Sequence, residues 1–199
     1  MSKKESTVRL EKRERRRAEN RRQSLVWNLI VLGGLGLFLA IVAGYTIANL
    51  RPGPLPGEQV IPDDGDGHLT VGVALPAFRH DPPSSGTHYP QAADWGLATT
   101  PVPPSTYLHN LGIGGVVFLY RCTTPCPDLE KEFQDLFTSV PPDPQTGQKK
   151  VLITQYDKPL PSLIVALAWD HELDMVAFNK ATMLTWYKRF LNQGPEPSR

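Results

Sequence analysis

The longest run of apolar positions in the chain lies near its N-terminus. From Gln23 to Leu50 there is no Asp, Glu, Lys or Arg, and Leu, Ile, Val, Ala, Gly and Phe dominate. A helix rises about 1.5 Å per residue, so about twenty such residues cross a hydrocarbon core of about 30 Å with every backbone amide satisfied internally. The pattern therefore predicts a single transmembrane helix over residues 25–50.

A cleaved secretory signal is the alternative for this segment. The apolar core of such a signal has about 7–15 residues and ends at a small-residue cleavage site. Here the apolar run is longer, follows a polar stretch, and ends in Asn49-Leu50-Arg51 without an Ala-x-Ala pattern. We therefore expect a retained membrane anchor.

Charge is divided unevenly about the predicted span. Residues 1–22 hold ten Lys or Arg and four Glu, whereas the rest of the chain holds eleven Lys or Arg and sixteen Asp or Glu. Because positive charge is retained in the cytoplasm, we expect the basic segment 1–24 inside and residues 51–199 outside. The basic run also suits contact with anionic lipid heads, and its position against the span disfavours the alternative, nucleic-acid binding.

Beyond the span the apolar period disappears. Residues 51–66 are rich in Pro, Gly and Asp, which predicts a partly extended linker before a globular domain over residues 67–199. Residues 68–108 remain dense in Pro and Gly. Proline fixes φ and lacks an amide donor, so this part is expected to be ordered loop with short strands.

Regular structure is predicted from residue 115 onward. Short β-branched and aromatic runs predict strands over residues 115–120, 151–156 and 163–169. Apolar residues at helical spacing predict helices over residues 128–140 and 175–191. The order strand, helix, strand, strand, helix predicts an α/β fold in which helices cover a small mixed sheet around one core.

The two cysteines lie in the run Cys122-Thr-Thr-Pro-Cys126-Pro127, between a predicted strand and a predicted helix. The partial positive charge of a helix N-terminus lowers a thiol pKa and favours the thiolate. The loop is similar to the copper-binding and redox sites of thioredoxin-like copper chaperones, so a thioredoxin-like arrangement is the specific form of α/β fold to expect. Outside the cytoplasm, however, two cysteines four positions apart usually form a structural disulfide. A disulfide is favoured, and a metal or redox pair and free thiols stay open.

Several short motifs occur along the outer domain in a characteristic order. They are His68, the run 81–88, Trp95-Gly96, His109-Asn110-Leu111, the run 114–117, Ala168-Trp169 and Gly194-Pro195-Glu196. In this order they resemble a bacterial family catalogued as domain of unknown function 3105. The resemblance implies a membrane-anchored extracytoplasmic protein of the bacterial cell membrane whose biochemical role is not established.

One run departs from the family pattern. The family's usual run is His-Asn-Leu-Glu-His-Gly-Gly, whereas this chain has Gly112 and Ile113 in place of the Glu and the second His. The chain is therefore interpreted as a degenerate member, and any site that depends on those two groups would be incomplete here.

Three histidines occupy positions that match the resemblance: His68, His88 and His109. Imidazole binds zinc, copper, nickel or iron, and loops distant in sequence can assemble one site. Their spacing fits no zincin or zinc-finger pattern, so the alternative is hydrogen bonding to loop backbone. Together with Cys122 and Cys126 they form the candidate ligand set, with copper or zinc as the candidate ion.

No motif in the sequence identifies an enzyme. There is no phosphate-binding glycine loop, dinucleotide fingerprint or haem-attachment Cys-x-x-Cys-His, and the run around Ser84 and Ser85 is not a hydrolase Gly-x-Ser-x-Gly elbow. We therefore expect a non-enzymatic, membrane-tethered extracytoplasmic domain that binds a transition metal. The alternatives are an accessory subunit of a larger membrane complex and a thiol oxidoreductase that uses Cys122 and Cys126.

Overall fold

The structure is a computed structural model that describes the backbone of residues 3–49 and 53–196, and the side chains of residues 21, 23, 25–46 and 53–196. The chain divides into two compact units, residues 1–51 and 52–199. The backbone described in the first unit forms one helix, α1 (Lys3–Asn49). Its apolar part, Leu25–Thr46, has a mean hydropathy of 2.4 and is long enough to cross a membrane. The predicted apolar helix is confirmed, and a signal sequence near the N-terminus can also satisfy this test of length and composition.

The described part of the second unit, residues 53–196, contains six strands in one sheet and three helices. They are, in chain order, β1 (Glu58–Val60), β2 (Gly96–Leu97), α2 (Pro104–Gly112), β3 (Val116–Tyr120), α3 (Pro127–Ser139), β4 (Val151–Gln155), β5 (Ile164–Ala168), β6 (His171–Met175) and α4 (Lys180–Phe190). The strand order is β1-β6-β5-β3-β4-β2. Strand β4 is parallel to both of its neighbours, and the remaining pairs are antiparallel. The predicted α/β fold with a mixed sheet is confirmed.

The central strand β3 is buried on both faces. Successive side chains of a strand point to opposite faces, so Phe118 packs into a cluster with residues of α3 and α4. Val117 and Leu119 pack instead against Tyr107 and Leu111 of α2. The sheet therefore has a helical face, covered by α3 and α4, and a second face covered in part by α2.

The rest of the second face is covered by irregular chain. Strand β1 pairs with β6 at one edge of the sheet, and β2 pairs with β4 at the other edge. The connecting residues 61–95 contribute Phe78, Ala93 and Trp95 to the second cluster. We call residues 61–103 the loop layer. Together with α2 they cover this face of the sheet, as α3 and α4 cover the other.

The structure differs from the predicted elements in three places. Strand β1 lies within residues 51–66, which were predicted to form a partly extended linker, and it pairs there with β6. Helix α2 begins inside the region expected to be loop, because Pro104 occupies its first turn, where a missing amide donor costs nothing. Residues 171–175 form strand β6, and α4 begins only at Lys180, where the Asn179 side chain accepts a hydrogen bond from Thr182 N–H at 3.1 Å. The prediction of a helix from residue 175 was therefore wrong for its first turn.

Candidate metal centre

Four side chains converge at one point of the domain: those of His68, His88, His109 and Glu196. Each offers one ligand atom, and these atoms all lie within 4.8 Å of one another. His68 Nε2 lies 3.2 Å from His109 Nδ1 and 3.2 Å from Glu196 Oε1. His88 Nε2 lies 3.3 Å from His109 Nδ1 and 3.2 Å from Glu196 Oε1. With metal–ligand bonds of about 2.0–2.1 Å, two ligands of a tetrahedral ion are about 3.4 Å apart, so these four contacts have the length expected within one coordination shell.

Two of the histidines are held together by the backbone of the loop layer. Leu69 N–H donates to the His88 carbonyl at 2.9 Å, and His88 N–H donates to the Gly67 carbonyl at 2.9 Å. These bonds form an isolated parallel bridge between His68 and His88. Because the bridge is made by main-chain groups, it brings together side chains that lie twenty positions apart in sequence without any regular strand.

The second ring nitrogen of His88 determines what this residue presents to the cluster. His88 is fully buried, and its Nδ1 lies 2.8 Å from the Gly86 carbonyl oxygen. A carbonyl oxygen only accepts, so Nδ1 carries a proton and Nε2 is the ring nitrogen that faces the other three groups and could bind a metal ion. A ligating histidine in proteins is commonly oriented in this way, by a bond from its other nitrogen to a backbone carbonyl.

His109 reaches the cluster from the last turn of α2. Burial lowers its pKa, and the neighbouring His88 and His68 lower the pKa further, against the Glu196 carboxylate, which raises it. A lowered pKa keeps the imidazole neutral at pH 7, which is the form that binds a metal ion.

Glu196 comes from the segment that follows α4. Its N–H donates to the Gly112 carbonyl at 3.0 Å. A Cβ atom added at Gly112 would lie 2.7 Å from Glu196 Oε1 and 3.5 Å from the Trp169 ring. The same Trp169 ring meets His88 edge-on, with ring centroids 6.0 Å apart. Because Gly112 has no side chain, the Glu196 carboxylate occupies this space, next to the Trp169 ring.

The structure brings together the three histidines singled out in the sequence and adds a carboxylate that the sequence argument missed. The one available signal for Glu196 was its place in the closing Gly194-Pro195-Glu196 motif. Among the described residues, the cluster of four includes neither cysteine.

Cys122 and Cys126 are joined in a disulfide, with Cα atoms 6.2 Å apart, so the favoured prediction for this pair is confirmed. Both cysteines pack against the core cluster of the helical face. The disulfide borders a cleft of about 530 Å³ lined by the start of α3 and by Leu163, Ala177 and Phe178. The candidate ligand set drawn from the sequence therefore separates into two places: the histidines with Glu196, and the cysteines with each other.

Fold and site together define a class: a mixed-sheet α/β domain, preceded by an apolar helix, with a cluster of three imidazoles and one carboxylate that could hold a metal ion. Residues 75–199 match the family model described as "Protein of unknown function (DUF3105)", and the chain belongs to this family. The resemblance seen in the motifs is thereby confirmed. The matched range contains His88, His109 and Glu196 and begins after His68. No curated protein matches the chain, and no solved structure matches it.

Proposed function

We propose that the protein is a membrane-tethered extracytoplasmic domain that binds one divalent transition-metal ion through His68, His88, His109 and Glu196. The observation that carries the proposal is the convergence of four ligand atoms within 4.8 Å of one another, with four of the distances between them at 3.2–3.3 Å, close to those of a tetrahedral shell. Three imidazoles and one carboxylate suit zinc(II) or copper(II), whereas copper(I) prefers the sulfur ligands that this cluster lacks.

The close contacts within the cluster support a cation at its centre. With Nδ1 protonated, the neutral form of His88 presents Nε2 as an acceptor, and an ionised Glu196 is an acceptor only. Lone pairs facing one another at 3.2 Å repel unless protons or a metal ion lie between them. The His68 side chain is 40% exposed, which supplies a route for an ion from solvent.

The number of protein ligands favours a binding or structural role over catalysis. A catalytic zinc site keeps one coordination position open for water or substrate, whereas a structural site is closed by four protein ligands. Here four groups from three separate parts of the chain complete the shell. This arrangement supports the expectation of a non-enzymatic domain.

The location is inferred from the first unit and from the disulfide. The apolar segment Leu25–Thr46 follows a strongly basic stretch, which supports an anchor in the bacterial cell membrane with the basic segment inside and next to anionic lipid heads. A disulfide persists in oxidising compartments outside the cytoplasm.

Protease added to intact cells should remove a C-terminal tag, and a protected tag or a mature N-terminus beyond residue 50 would contradict this topology. Native sizing after detergent extraction tests the accessory-subunit alternative.

Metal analysis of the full chain in detergent tests the proposed site. We expect one zinc or copper(II) ion per chain, and a cobalt(II) derivative with the absorption of a tetrahedral site. Replacing His88 or Glu196 by Ala should abolish or weaken binding. The matched control is His80→Ala, because His80 contacts Glu172 and lies outside the cluster. Absence of bound metal, or equal binding by His88→Ala, would refute the site.

A second candidate function, thiol oxidoreductase, is favoured by the cleft beside the disulfide. Cys126 is the N-cap residue of α3, where the helix would stabilise a thiolate after reduction. In this reaction a substrate dithiol would become a disulfide, and its two electrons and two protons would pass to the sulfurs of Cys122 and Cys126. This layout also suits the thioredoxin-like arrangement expected from the sequence. Equilibration with a thiol buffer measures the reduction potential of the Cys122–Cys126 disulfide. A reduction potential well above about −300 mV supports thiol–disulfide exchange, and a lower one indicates a structural disulfide.

A further inference from the structure

The segment that carries Glu196 is docked against the end of α2 by the main chain. Asn192 N–H donates to the Gly114 carbonyl at 2.8 Å, and Glu196 N–H donates to the Gly112 carbonyl at 3.0 Å. We call residues 192–196 the clasp segment. These two backbone hydrogen bonds, one at each end of the clasp segment, hold it against the residues at the end of α2.

The approach between the clasp segment and α2 is too close for a side chain. A Cβ atom added at Gly194 would lie 2.0 Å from the Gly112 carbonyl oxygen and 2.5 Å from that of Leu111. Real Cβ contacts of this length do not occur, so only glycine permits this docking. The position of Glu196 relative to the histidines therefore depends on a residue that is not itself a ligand.

A buried polar network holds the first residue of the clasp segment. Lys150 Nζ donates to Asn192 Oδ1 at 2.7 Å and to the Ile113 carbonyl at 3.2 Å, while Asn192 Nδ2 donates to Asp143 Oδ1 at 3.0 Å. Lys150 also lies 3.3 Å from Asp143 Oδ2, and both are nearly inaccessible to solvent. Burying a charged pair is costly unless its partners are well placed. This network joins the chain before β4, the end of α2 and the clasp segment.

We propose that Asn192 and Gly194 are positioning residues that hold Glu196 at the fourth ligand position, so that docking of the clasp segment and retention of the metal ion are coupled. This inference rests on the proposed metal function. The three histidines lie on residues 68–109, so without the clasp segment the shell would lack its fourth group. Coupling between two equilibria is reciprocal, so metal should also tighten the clasp segment.

A double-mutant cycle in the full chain in detergent tests the coupling, with zinc and cobalt(II) as the probes. Asn192→Gly removes the amide but keeps a residue that adopts the observed φ of +59°. We expect this change to weaken metal binding by about ten- to a hundredfold, the usual range for groups that orient ligands. In a Glu196→Ala background the same change should cause no further loss, because its effect passes through that carboxylate.

The outcomes separate this inference from the proposed function. If the unchanged chain binds no metal, both the metal site and the positioning role are overturned. Full metal binding by Asn192→Gly, or an equal loss in both backgrounds, would overturn the positioning role alone.

Gly194→Ala provides a second test, with Gly53→Ala as the matched control because no atom lies within 4 Å of a Cβ there. Hydrogen exchange at the Glu196 amide should slow when zinc is added, and an unchanged rate would contradict the coupling.

Discussion

The two faces of the sheet are covered by chain of opposite character. On the helical face, α3 and α4 satisfy their own amide groups, and the contact consists largely of apolar side chains. On the other face, the loop layer has few ladders, and side chains supply several of its hydrogen bonds: Tyr107 donates to the Pro83 carbonyl at 3.0 Å, and Asn110 bonds both backbone groups of Ala93. The backbone N–H and C=O groups of irregular chain are not paired within a helix. When such chain covers a sheet, its buried backbone groups therefore need other hydrogen-bond partners, such as buried polar side chains.

The difference explains where the candidate site lies. Ser84, Ser85 and His88 are buried polar residues of the loop layer, and Asn110 is buried in α2 beneath it. A region that already gathers polar side chains in its interior can turn several toward one point. The loop layer and α2 supply three of the four candidate ligands, and the disulfide on the helical face supplies none.

The largest effect is expected from a core substitution on the helical face. Phe118→Ala removes a fully buried aromatic ring from β3 and should lower the free energy of unfolding by about 3–5 kcal/mol. Urea unfolding of the full chain in detergent measures the loss, with Val176→Ala as the control because Val176 is 87% exposed. The loss should be the same with zinc or with a chelator, and a loss that zinc reverses would contradict the separation of the two faces.

Metal binding should stabilise the face of the sheet that is covered by the loop layer and α2. At a free zinc concentration of 100 times Kd, binding to the folded state alone adds about 2.7 kcal/mol to the free energy of unfolding. A chelator should remove this increment from the unchanged chain, and Glu196→Ala should show a smaller one. Hydrogen exchange should place the added protection in the loop layer and α2. Protection confined to α3 and α4 would show that the ion binds elsewhere.

Loss of one polar anchor should be smaller. In Asn110→Ala, the partly buried Ala93 N–H and carbonyl lose partners at 2.8 and 2.9 Å. Leaving buried groups unpaired costs about 1–3 kcal/mol, so we expect a loss in that range by urea unfolding. Gln134→Ala, at an exposed position of α3, is the control and should change little. Equal effects of the two changes would mean that the loop layer does not depend on this anchor.

The smallest effect is a pH dependence where β1 meets β6. His171 lies 3.4 Å from Glu58, which also pairs with Arg189 at 3.1 Å. Burial lowers the pKa of His171, and Arg189 lowers it further, against Glu58 and Asp170, which raise it.

Because the folded pKa of His171 is below the unfolded one, the unfolded chain binds more protons, and stability should fall as the pH drops below about 6.5. His171→Gln should flatten this slope in urea unfolding at a series of pH values. The His109 pKa is shifted in the same direction, so only the difference between the two chains is assigned to His171. Identical slopes would exclude a contribution from His171.

Much of the regular structure could be predicted because its signals are local. The runs that form β3, β4 and β5 are apolar and β-branched, and the spacing of Phe133 and Leu136 indicates α3 without knowledge of its neighbours. Helix α2 was missed because prolines at its start were interpreted as breakers, although proline is tolerated in a first helical turn. The start of α4 was placed too early because apolar Met175 belongs to a strand that only pairing with β5 defines.

The amino-acid sequence by itself determined the apolar helix, the α/β class, the disulfide as the favoured state of the cysteines and three histidines as candidate ligands, since each depends on residue type or short-range spacing. Only the tertiary structure decided that Glu196 joins the histidines and that the cysteines do not. Those choices depend on which distant segments the fold brings within a few ångströms, and for Glu196 on a backbone approach at Gly112 and Gly194 that no local pattern encodes.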